Sequence, residues 1–388
     1  MDFDPRWLLF VIPVTFALGW LASRLDLRQW RREQRDAPKA YFKGLNLLLN
    51  EQQDKAIDAF IEAVQADPDT SELHFALGNL FRRRGEYERA VRVHQHLLSR
   101  GDLPRSERER AQHALAQDFF KAGIFDRAEA AYRELRGTAF EHEAQLALLS
   151  LYERSRDWRH AADVARELEA KGTASFATRI AHYLCELALE AQSRQQDDEA
   201  AKLLDEARHA APQAARAYVL EARRLVRLGR PADACTAFIE LLKHNPEAFT
   251  LVADEYAQAA LGASQGPQAL AVLAGQFDRR SSLQLLRALD RVEPDAEAQR
   301  RRNVRLLREH PSLTAARSLL IASDLKTAMS EHLSGDEATL ITDALDRVAR
   351  PLQRYRCAAC GFEAAHYFWQ CPGCLTWDAY PPRTIEDD

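Results

Sequence analysis

The spacing of hydrophobic and polar positions divides the chain into three parts. Residues 7–22 carry no charge, and this run would be apolar on every side of a helix rather than along one stripe. From about residue 39 to residue 350, apolar residues recur every three or four positions, which is typical of amphipathic helices. Beyond Pro351 this spacing stops. The pattern therefore predicts an apolar N-terminal helix, a long series of amphipathic helices and a small C-terminal domain of a different kind.

The uncharged run predicts a transmembrane helix. Its sixteen residues would span about 24 Å, slightly less than the ~30 Å hydrocarbon core of a bilayer. Trp7 and Trp20 lie near its two ends, where indole rings favour the membrane interface. A cleaved signal peptide is disfavoured because Asp2 and Asp4 leave the N-terminus without a positive excess. A buried core helix is disfavoured because such a helix is usually striped.

Five arginines follow the uncharged run, namely Arg24, Arg28, Arg31, Arg32 and Arg35. Basic residues beside a membrane helix mark its cytoplasmic side. We therefore expect a single-pass protein of a bacterial cell inner membrane, with its C-terminal domain on the cytoplasmic side. The transmembrane anchor would occupy residues 1–23, and a basic cytoplasmic juxtamembrane segment would occupy residues 24–38.

The amphipathic part of the chain repeats with a period of 34 residues. Gly44 and Gly78 are separated by this distance, and so are Ala56 and Ala90. The second unit also places Tyr87 shortly before its alanine. A small residue in a first helix, followed by an alanine–aromatic pair in a second helix, is typical of the tetratricopeptide repeat. The sequence therefore predicts helical hairpins of this type.

Later units keep the alanine but lose parts of the pattern. The alanines of the third to sixth units are Ala128, Ala161, Ala200 and Ala234. One hairpin cannot bury its apolar face alone, so neighbouring hairpins stack. We expect an all-α, right-handed tetratricopeptide-repeat solenoid over residues 39–280 and degenerate helical repeats of unassigned register over residues 281–350. The residues predicted to pack within and between hairpins are Gly44, Ala56, Gly78, Tyr87, Ala90, Phe125, Ala128 and Trp158.

The repeats offer a binding surface rather than a catalytic site. Their first helices would line a concave groove suited to peptides or partner helices. The run Arg82–Arg84 is more typical of a solvated charged edge than of that groove, and the twelve histidines are interpreted as ordinary surface or packing residues. The chain has no Gly-rich phosphate loop, no G-x-S-x-G and no H-E-x-x-H. The sequence therefore does not predict an enzyme.

Composition supports this interpretation. The formal net charge of −5 gives no global basic field, which argues against a nucleic-acid partner. Four of the six cysteines lie within 18 residues, a clustering that suggests a reducing compartment and a metal site rather than disulfides. Cys185 and Cys235 stand alone in helical stretches, where a cysteine usually serves as a small buried apolar side chain.

The clustered cysteines predict a metal site in a domain over residues 351–388. Cys357, Cys360, Cys371 and Cys374 form two C-x2-C knuckles separated by ten residues. Gly361 supplies the permissive backbone for one turn. Two such knuckles close a tetrahedral site of four sulfurs, which selects one zinc or one iron ion. Six aromatic residues are predicted to form a miniature core around it, namely Tyr355, Phe362, Tyr367, Phe368, Trp369 and Trp377.

The knuckle sequence and its aromatic content resemble rubredoxin, in which the ion is iron. A site closed by four protein ligands has no open position for a substrate, so a structural or docking role is favoured over catalysis. An iron–tetrathiolate redox protein is the first alternative, and a red colour that bleaches on reduction would indicate it. A general membrane-tethered chaperone that binds many peptides through its repeats is the second.

Four stretches of sequence resemble the lipopolysaccharide assembly protein B family of Gram-negative bacteria, with the same order of anchor, repeats and knuckle. They are Leu77–Glu86, Phe125–Glu129, Ile180–Leu189 and the cysteine region from Tyr355 to Cys374. The resemblance implies an inner-membrane adaptor that modulates lipopolysaccharide levels. It would promote proteolysis of the lipid A pathway deacetylase by a membrane AAA+ protease.

The same resemblance implies further partners. An inner-membrane regulator that senses lipopolysaccharide would bind the chain, and synthesis enzymes would gather around it. The anchor would contact membrane partners, the repeats would hold cytosolic protein, and we expect the knuckle to fold against the last repeats. The sequence does not specify an oligomeric state.

Overall fold

The computed structural model describes residues 14–16, 20, 42–47, 49, 50, 52–67, 69–172, 174–321 and 335–387. These residues form two compact units, Met1–Asp157 and Trp158–Asp388. Both units consist of successive helices, so the predicted all-helical repeat fold with a C-terminal cysteine knuckle is confirmed.

Between residues 42 and 157, the described part of the first unit contains a short helical stretch at residues 42–47 and six further helices. These are α1 (Gln53–Ala66), α2 (Ser71–Arg84), α3 (Tyr87–Ser99), α4 (Arg105–Lys121), α5 (Phe125–Arg133) and α6 (Glu141–Ser155). Glycine ends α2: Gly85 has a φ of 84°, which a residue without Cβ adopts at no steric cost. The chain can therefore turn sharply from α2 into α3.

The second unit continues with helices and ends in a small two-stranded sheet. Its helices are α7 (Trp158–Ala170), α8 (Ala177–Ser193), α9 (Asp197–Ala210), α10 (Ala215–Arg227), α11 (Pro231–His244), α12 (Pro246–Phe249), α13 (Ala253–Gly262), α14 (Gly266–Arg279), α15 (Leu283–Val292), α16 (Ala296–Glu309), α17 (Leu313–Ile321) and α18 (Gly335–Leu352). The strands are β1 (Tyr355–Arg356) and β2 (Glu363–Ala364), which pair antiparallel. Pro351 lies inside the last turn of α18, so the helical region ends one residue later than the sequence indicated.

The alanines of the repeat pattern lie at helix contacts. Ala56, Ala90 and Ala128 are fully buried, as are Ala161, Ala200 and Ala234 in the second unit. Trp158 is also buried, whereas Tyr87 and Phe125 are half-buried. Because a larger side chain would push the helices apart, these positions restrict the choice of residue.

Two glycines allow still closer contacts. A Cβ on Gly44 would lie 2.7 Å from the Phe60 ring, and one on Gly78 would lie 2.5 Å from the His94 ring. Both distances are well below van der Waals contact, so only glycine fits without displacing a buried ring. Each of the two glycines predicted from the repeat therefore packs directly against one aromatic ring.

His94 belongs to a buried charged cluster that the sequence analysis missed. Its Nδ1 donates a hydrogen bond to Asp118 on α4, and both side chains are completely buried. Arg82 donates to the other oxygen of Asp118 at 2.8 Å and also to the carbonyl of Ala114 at 3.2 Å. The interpretation of Arg82 as part of a solvated edge was therefore wrong, since only 18% of its side chain is exposed. Arg83 and Arg84 are exposed, as expected.

The Gly78→Ala variant should be destabilised by about 1–3 kcal/mol, the usual range for overpacking a buried site. The new methyl group would displace the His94 ring and disturb its hydrogen bond to Asp118. Urea denaturation followed by circular dichroism measures the change.

Gly275→Ala is the matched control. Gly275 also lies within a helix, but a Cβ there would meet no atom within 4 Å. Helix propensity alone then predicts a gain of up to about 1 kcal/mol. Equal effects of the two variants would contradict the steric explanation.

The predicted membrane anchor lies outside the described residues, except for residues 14–16 and 20, so it stays a prediction. Trp7 is among the residues outside, and Trp20 is helical and 55% exposed. Within the described ranges, no helix is long and apolar enough to cross a membrane.

Candidate metal centre

The four cysteines are brought together by two short turns. Cys357 follows β1, and the turn after it closes through the Gly361 N–H donating to the Cys357 carbonyl at 2.8 Å. Gly361 adopts a φ of 77°, as the sequence predicted for this position. The second turn closes in the same way, with the Leu375 N–H donating to the Cys371 carbonyl at 2.8 Å. Each C-x2-C pair is thus folded back on itself.

The four sulfur atoms fit a single tetrahedral ion. All lie within 4.8 Å of one another, with Cys357 and Cys374 3.8 Å apart and Cys360 and Cys371 3.7 Å apart. Four sulfurs placed at ~2.3 Å from one ion would be about 3.8 Å apart, whereas a disulfide needs about 2.05 Å. The geometry therefore suits one metal ion held by four thiolates.

Hydrogen bonds from the surrounding backbone favour thiolates in this site. Although burial opposes ionisation, the N–H groups of Cys374 and Gly373 and the Tyr380 hydroxyl lower the pKa of Cys371 to about 6. The hydroxyl and N–H of Thr376 lower the pKa of Cys374.

Cys360 is affected in the opposite direction. The N–H of Phe362 lowers the pKa of Cys360, but burial and the adjacent cysteines outweigh it and raise the pKa to about 12. Four neighbouring sulfurs cannot all ionise without a cation, so metal binding releases protons and weakens as the pH is lowered.

The core of the knuckle differs from the predicted aromatic set. Cys357, Cys371 and Tyr380 are buried at its centre, with Tyr355 and Tyr367 packed against them. Tyr380 was missed by the sequence analysis, yet its hydroxyl lies 3.7 Å from the Cys371 sulfur.

Four of the predicted core aromatics lie elsewhere. Phe362 and Phe368 are 44% and 40% exposed, so their assignment to the core was wrong. Trp369 packs against the core of the repeats as well as against Tyr367, and Trp377 contacts the repeats. These two tryptophans therefore lie in the interface between the knuckle and the repeats rather than in the core of the knuckle.

Trp377 stacks on His182 of α8, with ring centroids 4.5 Å apart. It also meets Trp158 and Tyr183 edge to face, at 6.1 Å and 6.3 Å between centroids. The neighbouring Asp378 accepts a hydrogen bond from Nε2 of His182 at 2.8 Å. The predicted contact with the last repeats therefore extends back to α8, the first helix of an earlier repeat.

Four residues spaced by 34 positions contact the knuckle and its C-terminal extension. The series is His182, Arg216, Thr250 and Gln284. The guanidinium of Arg216 lies over the Trp377 ring at 5.5 Å, and the Thr250 hydroxyl donates to the Pro382 carbonyl at 3.1 Å. Burial raises the pKa of Tyr355, and the nearby Gln284 side chain acts in the opposite direction. One position of the repeat thus supplies a row of polar side chains that holds the knuckle.

The last described residues are held by carboxylate contacts. Glu386 accepts hydrogen bonds from the Ser312 hydroxyl and from the N–H and hydroxyl of Thr314, at 2.8–2.9 Å. Asp387 accepts from the N–H of Leu283 at 3.3 Å, at the start of α15. We call residues 381–387 the C-terminal strap.

The 34-residue period contains the signal that the sequence analysis missed. His182 and Arg216 occupy equivalent positions of successive repeats and are both buried despite their polarity. A conspicuous polar residue recurring with the period of the repeat points to a shared partner surface. Taken singly, His182 and Arg216 look like ordinary polar residues of amphipathic helices, and only their common spacing indicates the row.

Two family models match separate parts of the chain. Residues 355–379 match the family described as Rubredoxin metal binding domain, and residues 43–94 match Tetratricopeptide repeat. A tetratricopeptide repeat protein from Parabacteroides merdae superposes with a TM-score of 0.33 at 16% identity, covering 66% of this chain and 98% of the other.

Relatives that match nearly the whole chain carry one name. Lipopolysaccharide assembly protein B of Escherichia coli strain K12 is 30% identical over 97% of both chains. The protein of the same name from Haemophilus influenzae is 27% identical over 98% of both. On the full-length match, the chain belongs to the lipopolysaccharide assembly protein B family.

Proposed function

We propose that this chain is an inner-membrane adaptor that regulates lipopolysaccharide synthesis. The observation that carries the proposal is the match over 97% of both chains to a protein named for lipopolysaccharide assembly. A match of this extent is not confined to one domain, so we assign the role to the whole chain rather than to the repeats or the knuckle alone.

The chemistry of the described residues favours binding over catalysis. Among them, the cysteine knuckle is the only cluster of His, Cys, Asp or Glu side chains that could hold a metal ion. Its four sulfurs complete the coordination of one ion and leave no position for a substrate. Cys357, Cys360, Cys371 and Cys374 would hold the ion, which would supply cohesion to a domain too small to fold by hydrophobic burial alone.

The adaptor would act by bringing two proteins together at the membrane. In this proposal the repeats hold the lipid A pathway deacetylase and present it to a membrane AAA+ protease. The N-terminal anchor keeps the complex at the inner membrane and contacts a regulator that senses lipopolysaccharide. Surfaces of helical hairpins suit such a task because they bind extended or helical segments without chemistry of their own.

Depletion of the protein in its host tests this function. We expect the deacetylase to persist longer after translation is stopped, and lipopolysaccharide content to rise. Immunoblots over time measure the first quantity, and quantitative gel staining measures the second. An unchanged half-life of the deacetylase would refute the adaptor role.

A further inference from the structure

A cavity of about 470 Å³ lies between the C-terminal strap and the repeats. The ends of α14 and α16 and the start of α15 form one side of it, and α12 forms another. Pro381, Pro382 and Arg383 of the strap close the remaining side. The cavity therefore exists in this form only while the strap is held against the repeats.

The charges that line the cavity leave a small positive excess. Arg279, Arg280 and Arg383 contribute three guanidinium groups, against the two carboxylates of Glu247 and Asp387. Glu247 is already paired with Arg280 at 3.2 Å. Asp387 accepts from the Leu283 N–H at 3.3 Å and from the Thr384 hydroxyl at 2.9 Å. Both carboxylates are thus engaged within the protein.

Arg279 is the cation available to a ligand. It is exposed, and it makes no ion pair with any residue in the described part of the chain. A guanidinium at the mouth of a cavity favours a carboxylate, to which it can donate two parallel hydrogen bonds.

The adjoining surface already binds carboxylates in this structure. Glu386 of the strap receives three hydrogen bonds from Ser312 and Thr314. The strap runs past the cavity as an acidic segment of the chain itself, ending in Ile385–Asp387. Prolines and Leu285 add apolar walls, which suit a peptide better than a small hydrated anion.

We propose that this cavity binds an acidic peptide segment of a partner protein, with Arg279 receiving one of its carboxylates. The inference rests on the proposed adaptor role and specifies the chemistry of the segment that the repeats would hold. Because the strap forms one side, binding depends on a docked knuckle and hence on its metal ion.

Fluorescence anisotropy with a labelled hexaglutamate peptide tests the proposal on the full chain. We expect saturable binding that weakens as salt is raised. Arg279→Glu should weaken it by at least about tenfold, since an attractive contact becomes repulsive.

Arg159→Glu is the matched control, because Arg159 is an exposed residue of α7 away from the cavity lining. It should change the affinity by less than about twofold. Melting curves establish that the variants are folded. Removing the metal from the wild-type chain should abolish binding as well.

Three results would overturn the proposal. They are equal binding by Arg279→Glu and wild type, unchanged binding after metal removal, and displacement of the peptide by an equal concentration of inorganic phosphate. These outcomes are independent of the deacetylase half-life, so failure of the cavity and failure of the adaptor role can be distinguished.

Discussion

Replacing Cys357 and Cys360 with serine should abolish metal binding and release the C-terminal strap from the repeats. The two remaining thiols cannot complete a tetrahedral site, and structural zinc sites contribute about 10–16 kcal/mol of apparent binding free energy to small domains. Without the ion, isolated backbone hydrogen bonds are all that hold the two turns, which is too little to keep Trp377 and Asp378 against His182. We therefore expect both the knuckle and its contacts with the repeats to be lost.

Elemental analysis and amide hydrogen exchange measure these effects. Metal content should fall from about one ion per chain to near zero. Exchange should accelerate at the Leu283 and Ile385 amides, which are hydrogen-bonded while the strap is docked. Cys235→Ala is the control, because Cys235 is buried in α11 and not in the metal site. A double serine variant that keeps its metal would contradict the assignment of the ligands.

The Trp377→Ala variant should undock the knuckle while leaving its metal in place. Trp377 stacks on His182 and meets Trp158 and Tyr183 edge to face, so its loss removes most aromatic contacts of the interface. Truncation of a buried tryptophan costs about 3–5 kcal/mol, and Trp377 is half-buried, so we expect roughly 2–4 kcal/mol. The strap should then exchange its amide hydrogens faster.

Phe362→Ala is the matched control within the same domain. Phe362 is 44% exposed and lies outside the buried core of the knuckle, so its truncation should cost under about 1 kcal/mol. Metal content should be unchanged in both variants. Loss of metal in Trp377→Ala would show that the interface and the site cannot be separated. Equal hydrogen exchange in the two variants would show that Trp377 does not hold the interface.

The helical repeats and the cysteine cluster could be predicted because their signals are local. A period of 34 residues with Gly44, Gly78, Ala56 and Ala90 in register is visible without tertiary information. The C-x2-C spacing likewise specifies which sulfurs can share one ion. In both cases a residue type that recurs at a fixed spacing along the sequence has one common structural role, namely helix packing for the repeats and metal binding for the cysteines.

Contacts between distant segments could not be predicted from these local signals. Tyr380 lies beyond the cysteines yet reaches the Cys371 sulfur, and Trp377 turns outward to α8 instead of inward. The buried Asp118 on α4 looks like any acidic residue of an amphipathic helix until Arg82 and His94 are placed beside it. Burial of a charge depends on partners far away in sequence, which local spacing does not reveal.

The proposed function requires the knuckle, folded around its metal ion, to be docked against the repeats. The most direct test depletes the chromosomal protein and supplies either the wild type or the Cys357→Ser, Cys360→Ser variant at equal abundance. The half-life of the deacetylase is then measured after translation is stopped. We predict that the wild type restores rapid turnover and that the metal-free variant does not. Full restoration of turnover by a variant shown to lack metal would contradict this prediction.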